Sequence, residues 1–471
     1  MCSNVYTLGE RVVLPDGSRL ETVDGTSCRA REPHTVLKRR LPFHYAWITA
    51  VVTFFVLVVV AGIRSASGVL IVPLHDEMGW SVASVSTAAA INIALYGAVG
   101  PFAAAFMESF GIRKMILIAL GISALSTAAS ALVMTPLQLA LTWGVGLGFG
   151  VGIVSMVLAA VISTRWFAKR RGLVYGSLVG SAAMGQLVFL PILAATAHTY
   201  GWRSVGLVCA VVAALAAIPV ALWMRDRPED LGIRRFGEDP LAAPAPPVQH
   251  GANPLRNTFA VLGRASKKRD FWLVAGTFFI CGATTNGYIG THFMAICGDV
   301  GISQVHAAGF VAVIGVFSMI GSTASGWLSD RYASRYLLFT YYGLRGLSLF
   351  VLPFAISGPN STYLLPAFMV FYGLDWLATG APNIRALSEA LNKEDVPIAF
   401  GWIGATHQLG AGLSAFITGL IRTNTGSYLT TFDLFGALCI AGAFASLAIG
   451  TGKRTQREPR VQTSSRRAVP A

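Results

Sequence analysis

Apolar segments of membrane-spanning length recur along this 471-residue chain, and they constrain its fold more than any other feature. A helix needs about 20 consecutive apolar residues to cross the hydrocarbon core of a bilayer. Such windows lie near residues 45–73, 83–106, 114–133, 137–163, 172–197, 204–224, 271–295, 306–328, 336–356, 363–388, 398–421 and 431–450. Hydrophobic residues make up 54% of the chain and charged residues only 12%, unlike the composition of a soluble domain. The sequence therefore predicts an all-α polytopic membrane protein with twelve transmembrane helices.

The charged residues divide the chain into parts and orient it. We expect a cytoplasmic extension over 1–41, six helices within 42–224, a charged, proline-containing linker over 225–270, six helices within 271–450, and a cytoplasmic tail over 451–471. Nearly all lysines and arginines between helices fall on one side, which the positive-inside rule assigns to the cytoplasm. The net charge of +14 thus reflects topology and anionic lipid headgroups, and nucleic-acid binding is not expected.

A short acidic and basic pattern occurs twice, after the second helix of each half. The copies are "AAFMESFGIRK" (104–114) and "GWLSDRYASRY" (326–336), in which Glu108 and Asp330 are 222 residues apart. This duplicated loop resembles the GxLaDrxGrkx signature of the major facilitator superfamily, although the first copy has Ala104 for its glycine and Glu108 for its aspartate. The resemblance implies two six-helix bundles. It also implies a latch on the outward-open state, formed by Glu108, Arg113, Asp330, Arg331 and Arg335.

Further segments, including "IRSASGV" and "YYGLRGLSLFVLP", are similar to the monocarboxylate-porter branch and its oxalate:formate antiporter-like, bacterial members. In that branch the eighth helix carries an aspartate and an arginine one turn apart. Counting back from Gly326 places Ser318 and Ser322 at those positions, so both charges are absent. The proton-responsive pair of the family therefore does not carry over to this chain.

Arg64, in "VVVAGIRSASGVL", aligns with the lysine that monocarboxylate porters place in their first helix. It lies roughly 28 Å along a helix of about 40 Å, beside the small residues Ser65, Ser67 and Gly68. A guanidinium at this depth can hold a carboxylate in two parallel hydrogen bonds, so we expect Arg64 to select the anion. The alternative is a permanent ion pair with Asp76 or Glu77, about 18 Å away by helical rise.

Arg345 and Asp375 are predicted to pair in the membrane. They lie roughly 15 Å and 20 Å from the cytoplasmic ends of the ninth and tenth helices. Each unpaired charge at mid-membrane would cost about 2.5 to 3.5 kcal/mol on insertion scales, so pairing is favoured. The pair is interpreted either as a structural brace or as a titrating coupling element. Candidate substrate contacts on the seventh, tenth and eleventh helices are Asn286, Tyr288, Tyr372, Trp376 and His407.

These features predict a secondary active transporter that moves a small organic anion, with a carboxylate as the favoured class, by alternating access. Transport would be coupled to protons or to exchange for a counter-anion, in a monomer embedded in the bacterial inner membrane with both termini cytoplasmic. The alternative is an exporter of amphipathic compounds. No nucleophile and base, metal-ligand spacing or cofactor motif is evident, so neither an enzyme nor a metal or cofactor site is expected.

Overall fold

The computed structural model describes residues 7–8, 11–12, 44–154, 156–238, 254–358, 361–392 and 395–450. Most of the predicted N-terminal extension, part of the linker and the whole tail lie outside the described residues. Within the extension, β1 (Thr7–Leu8) and β2 (Arg11–Val12) pair as antiparallel strands. All regular structure described from residue 44 onward is helical, apart from a single backbone bridge between Phe167 and Phe236.

The first half contains six helical spans, each coinciding with a predicted window. They are α1 (Ala46–Met78), α2 (Val82–Phe110), α3 (Ile112–Ser130), a fourth span built from α4 (Pro136–Leu139), a π-helical segment (Ala140–Leu147), α5 (Gly148–Ile153) and α6 (Met156–Trp166), then α7 (Arg171–Tyr200) and α8 (Trp202–Trp223). A 3₁₀ turn (Pro228–Leu231) and the short helix α9 (Pro254–Ala265) follow in the linker.

The second half repeats this arrangement. Its spans are a seventh built from α10 (Arg269–Gly282), a π-helical segment (Ala283–Ile289) and α11 (Gly290–Asp299), then α12 (Gln304–Ser329), α13 (Ser334–Ser357), a tenth built from α14 (Ser361–Trp376) and α15 (Gly380–Ala390), α16 (Val396–Thr425) and α17 (Leu429–Leu447). Ten spans of the described chain are long and apolar enough to cross a membrane. The seventh span and α16 are as long as these ten, but they are less apolar because they include polar residues such as His292 and His407, and they are therefore not among the ten.

The two halves are interrupted at matching places. In the fourth span α5 ends at Ile153 and Val154 leaves helical geometry, with φ −97° and ψ 59°. In the tenth span the turn Leu377–Thr379 separates α14 from α15. Ile153 and Trp376, the last helical residues before the two breaks, are 223 residues apart, which is within one residue of the 222 that separate Glu108 and Asp330. Discontinuous helices at corresponding positions of a repeat commonly flank the binding site of a transporter.

Contacts between the halves are made mainly by α2 on α16 and by α7 on α12. We call the end at which α9 lies the linker side, and the opposite end the far side. At the far side, the backbone N–H of Ala83 on α2 donates to the Thr423 hydroxyl on α16 at 3.0 Å. A Cβ on Gly68 of α1 would lie 3.2 Å from the Gly290 carbonyl of the second half. The far side is therefore closed in this structure.

Gly419 of α16 allows this closure. A Cβ at Gly419 would lie 2.6 Å from the Ser86 Cβ and 3.2 Å from the Ala83 Cα on α2, and real Cβ atoms avoid such short approaches. We expect Gly419→Val to separate the far ends of α2 and α16, because overpacking costs about 1–3 kcal/mol and opening relieves it. Spin labels at the exposed Leu132 and Tyr363 should report a longer far-side distance.

The matched control is Gly309→Val on α12, since a Cβ at Gly309 meets no atom within 4 Å. It should leave the label distance unchanged. The same distance distribution in Gly419→Val and the wild type would contradict the packing account of far-side closure.

Candidate functional site

Arg64 on α1 is half-buried, and its guanidinium carbon lies 4.6 Å from the centroid of the Tyr96 ring on α2. A guanidinium stacked on an aromatic face keeps its N–H edge available for a ligand. Within the described residues Arg64 forms no ion pair, and Asp76 and Glu77 are exposed at the far end of α1. The alternative pairing of Arg64 with these acids is absent from this structure.

Hydrogen bonds one turn away hold the backbone at Arg64 in place. The Ser67 hydroxyl donates to the Arg64 carbonyl at 3.3 Å and accepts from the indole N–H of Trp143 at 3.0 Å. The amide of Asn92 in turn donates to the Trp143 carbonyl at 2.8 Å. Trp143 belongs to the π-helical segment of the fourth span, so three spans fix the position of Arg64.

Arg345 on α13 and Asp375 on α14 form an ion pair in the interior of the second half. The Arg345 Nε donates to the Asp375 carboxylate, and its Nη2 donates to the Asp375 backbone carbonyl at 2.8 Å. Arg345 is fully buried and Asp375 is only 6% exposed. The carboxylate oxygen Oδ1 of Asp375 is buried without a hydrogen-bond partner. The predicted proximity is present; whether the pair braces or titrates stays a prediction.

Arg345 also connects the two irregular helices of the second half. Its Nη1 lies 3.1 Å from the Cys281 sulfur and 3.4 Å from the Thr284 hydroxyl, at the start of the π-helical segment. The Tyr372 hydroxyl donates to the Thr284 carbonyl at 2.7 Å. Cys281 and Thr284 were not among the sequence candidates, because a small polar residue in an apolar helix gives no signal of a buried arginine nearby.

Three further candidates of the second half, Trp376, Asn286 and His407, are not enclosed completely by their own half. Trp376 packs edge-on against Tyr372 at 5.8 Å, and a Cβ on Gly290 would lie 3.7 Å from its ring, so it lies beside the far-side contact. Asn286 and His407 are half-buried, and the His407 ring lies 4.6 Å from that of Phe278.

Tyr288, in contrast, lies inside the second half. It is fully buried, and its hydroxyl accepts from Thr431 at 2.9 Å while its ring packs on Phe435 at 4.6 Å. Its side chain faces α17 in this structure, and a substrate contact of Tyr288 stays a prediction. Sequence spacing could not distinguish this face because the π-helical segment changes the helical phase.

The latch residues contact only their own half in the described chain. Glu108 lies 3.7 Å from Arg165, and the backbone N–H of Arg113 donates to Asp226 at 2.8 Å. In the second copy Asp330 is exposed, while the side chains of Arg331 and Arg335 stack on Trp327 and Tyr336 at 3.8 and 4.7 Å. Because the far side is closed here, this geometry does not test a latch expected in the outward-open state.

Comparison with known proteins agrees with this architecture. The chain is 26% identical over 398 residues to the uncharacterized MFS-type transporter YcxA of Bacillus subtilis (strain 168), covering 84% of this chain and 91% of that protein. It is 26% identical over 401 residues to monocarboxylate transporter 13 of Bos taurus, covering 85% and 88% of the two chains. The relatives thus resemble this chain over most of its length.

Solved structures share the fold at low sequence identity. The D-xylose-proton symporter matches with a TM-score of 0.66 and 15% identity, covering 86% of this chain and 98% of that chain. A mutant of the nucleoside transporter NupG matches with a TM-score of 0.67 and 13% identity, covering 86% and 100% of the two chains. The family model described as Major Facilitator Superfamily matches residues 53–388. The chain is therefore a transporter of the Major Facilitator Superfamily.

Proposed function

We propose that this protein is a secondary active transporter of a small organic anion, with a carboxylate as its substrate class, working by alternating access. Support comes from the similarity to proteins named monocarboxylate transporters, from the matched helix breaks in the two halves, and from the chemistry available at Arg64. The name of a relative supports the class of substrate, and Arg64 supplies the physical reason for it.

The observation that carries the proposal is the state of Arg64. A permanently charged guanidinium far along a membrane-spanning helix, without an ion-pair partner in the described residues, needs an anion to offset its desolvation. A carboxylate meets this need with two parallel charge-assisted hydrogen bonds. Tyr96 covers one face of the guanidinium, so the ligand approaches the N–H edge in the plane of the fork.

The topology and the latch belong to the same proposal. The linker side carries the basic loops, and the positive-inside rule assigns it to the cytoplasm. Both termini would then be cytoplasmic. The two six-helix bundles would comprise residues 42–224 and 271–450. Glu108, Arg113, Asp330, Arg331 and Arg335 would engage across the halves when the far side opens. The working unit is proposed to be a monomer in the bacterial inner membrane.

Transport would be coupled to protons or to counter-anion exchange, and Asp375 is the candidate proton carrier. Its Oδ1 is unpartnered in the interior of the second half, while Arg345 engages the other carboxylate oxygen. A carboxylate in this position can accept a proton at Oδ1 without losing the backbone bond that Arg345 makes. The brace role predicts no such titration, so the two roles separate experimentally.

Uptake into proteoliposomes tests the proposal. We expect purified protein to accumulate one or more of labelled lactate, pyruvate, oxalate and benzoate, with an inward proton gradient or an internal counter-anion increasing the rate. Efflux of a fluorescent amphipathic amine, with no uptake of any carboxylate, would contradict the proposal and favour the exporter. A protein-free liposome control corrects for diffusion of protonated acids.

A further inference from the structure

The linker helix α9 joins the halves at the linker side. It is amphipathic: Val261 and Ala265 are buried and pack with Ala399 and Ile403 of α16 in one core cluster. The opposite face, which includes Arg256 and Arg264, is exposed. Its buried face is therefore occupied by the second half of the chain.

Two polar contacts fasten α9 to α16. The Arg264 guanidinium donates both arms of its fork to the Asp395 carboxylate at 2.6 and 3.0 Å, and Asp395 directly precedes α16. The Arg264 guanidinium holds the pKa of the Asp395 carboxyl below its ordinary value, so the pair stays charged at neutral pH. The Trp402 indole donates to the Thr258 carbonyl at 3.1 Å. The helix should therefore move with the second half.

An aromatic side chain of α9 contacts the first half. The Phe259 ring lies 5.6 Å from the ring of Phe102 on α2 and 5.6 Å from that of Trp402 on α16. Phe102 and Trp402 also meet edge-on at 5.9 Å and 85°. These three rings form an aromatic junction across the two halves.

The start of the linker is attached to the other half. The backbone N–H of Phe236 donates to the Trp166 carbonyl at 2.9 Å, and the Phe236 carbonyl accepts from Ala168 at 2.9 Å. The rings of Phe236 and Phe167 lie 5.8 Å apart. The linker is thus fixed to the first half at 236 and to the second half at α9.

We propose that α9 is a strap that favours closure of the linker side, with Phe259 as the element that engages and releases the first half. When α2 and α16 separate at this end, the clamps at Asp395 and Trp402 carry α9 away with α16. The contact between Phe259 and Phe102 then breaks. The free energy of this junction is therefore part of the balance between the two access states. The inference rests on the alternating-access part of the proposed function and is independent of the substrate.

Distance measurements on the full-length protein test the strap. Spin labels are placed at Phe110→Cys on α2 and Tyr332→Cys after α12, both exposed at the linker side, with Cys2 and Cys28 replaced by serine. The other four cysteines are buried. Because aromatic pairs contribute beyond their buried area, Phe259→Ala should raise the ratio of open to closed populations about two- to tenfold. Phe102→Ala should act in the same direction, and Asp395→Asn should do so by loosening the clamp.

The matched control is Trp272→Ala, an exposed aromatic residue of α10 whose indole donates to the Ser266 carbonyl just after α9 and whose ring packs on Phe271, with no ring contact or hydrogen bond to the first half among the described residues. It should not change the distance distribution. An unchanged distribution in folded Phe259→Ala and Phe102→Ala would overturn the strap. In that case carboxylate uptake by the wild type distinguishes the causes: uptake leaves the proposed function intact and removes only the strap, and no uptake of any carboxylate removes the proposed function as well.

Discussion

Replacing Arg64 by glutamine is expected to abolish carboxylate uptake while the protein still folds and inserts. Glutamine removes the charge and the fork but keeps polarity at a half-buried position beside Tyr96. Losing one partner of a desolvated, hydrogen-bonded charge pair costs about 2–5 kcal/mol, which corresponds to about a 30-fold or larger loss of affinity. Uptake into proteoliposomes at matched protein content measures the loss. Arg64→Lys should retain weak transport with altered selectivity, because a lysine keeps the charge without the planar fork.

Arg203→Gln is the matched control for this prediction. Arg203 also lies over an aromatic ring, at 4.4 Å from that of Trp202, but it is at the far-side surface of the first half. Its replacement should leave uptake within about twofold of the wild type, since Arg203 is half-buried like Arg64 but lies at the start of α8, at the far-side end of the helix. Wild-type uptake by a well-expressed Arg64→Gln variant would eliminate Arg64 as the anion selector.

Replacing Arg345 should produce the largest loss of stability. Arg345→Gln leaves the Asp375 carboxylate buried without its cation, and breaking a buried pair in this way costs about 3–5 kcal/mol. It also removes the bonds to the Asp375 carbonyl, Cys281 and Thr284 that join α13 to the seventh and tenth spans. We expect a strongly lowered unfolding temperature in detergent. The double variant Arg345→Met, Asp375→Leu should recover part of the lost unfolding temperature, because it removes both buried charges.

Arg422→Gln provides the comparison at the surface. Arg422 engages both carboxylate oxygens of Asp299, at 3.0 and 3.1 Å, but this pair lies at the surface, where its side chains are 24% and 37% exposed. Its loss should cost at most about 1 kcal/mol. Equal effects of Arg345→Gln and Arg422→Gln would contradict the assignment of a buried brace.

Asp375→Asn separates the brace from the coupling role of the pair. An amide keeps an acceptor for the Arg345 guanidinium but cannot carry a proton in exchange with solvent. Loss of proton-driven uptake with intact counterflow exchange would support coupling. Equal rates of both processes in the variant and the wild type would assign the pair to structure alone.

The sequence predicted the helical spans well because bilayer thickness requires a long apolar run for each of them. It also predicted that Arg345 and Asp375 lie close together, since helical rise is regular enough to compare their positions counted from the helix ends. Such counting does not indicate that Tyr288 faces α17, because Tyr288 lies in the π-helical segment Ala283–Ile289, which changes the helical phase. That segment depends on tertiary contacts such as the Tyr372 bond to the Thr284 carbonyl, which local sequence does not reveal.

The linker shows a second limit of sequence reasoning. Its charge and prolines predicted a connection between the halves, but they did not indicate that part of this connection forms the helix α9. The fork between Arg264 and Asp395 joins residues 131 positions apart, and no local pattern marks such a pair. Glu108 gives a similar example. The duplicated loop suggests the nearby basic residues of the loop as its partners, whereas in the structure Glu108 lies 3.7 Å from Arg165, outside the loop.

Competition between a carboxylate and its own amide tests the central claim most directly. Uptake of the best-transported labelled carboxylate is measured in proteoliposomes against unlabelled carboxylate and against the uncharged amide of the same carbon skeleton. If the Arg64 guanidinium selects the anion, the carboxylate should compete fully and the amide should be at least about 30-fold weaker. Equal competition by the amide, or carboxylate uptake that persists at the wild-type rate in Arg64→Gln, would contradict the account.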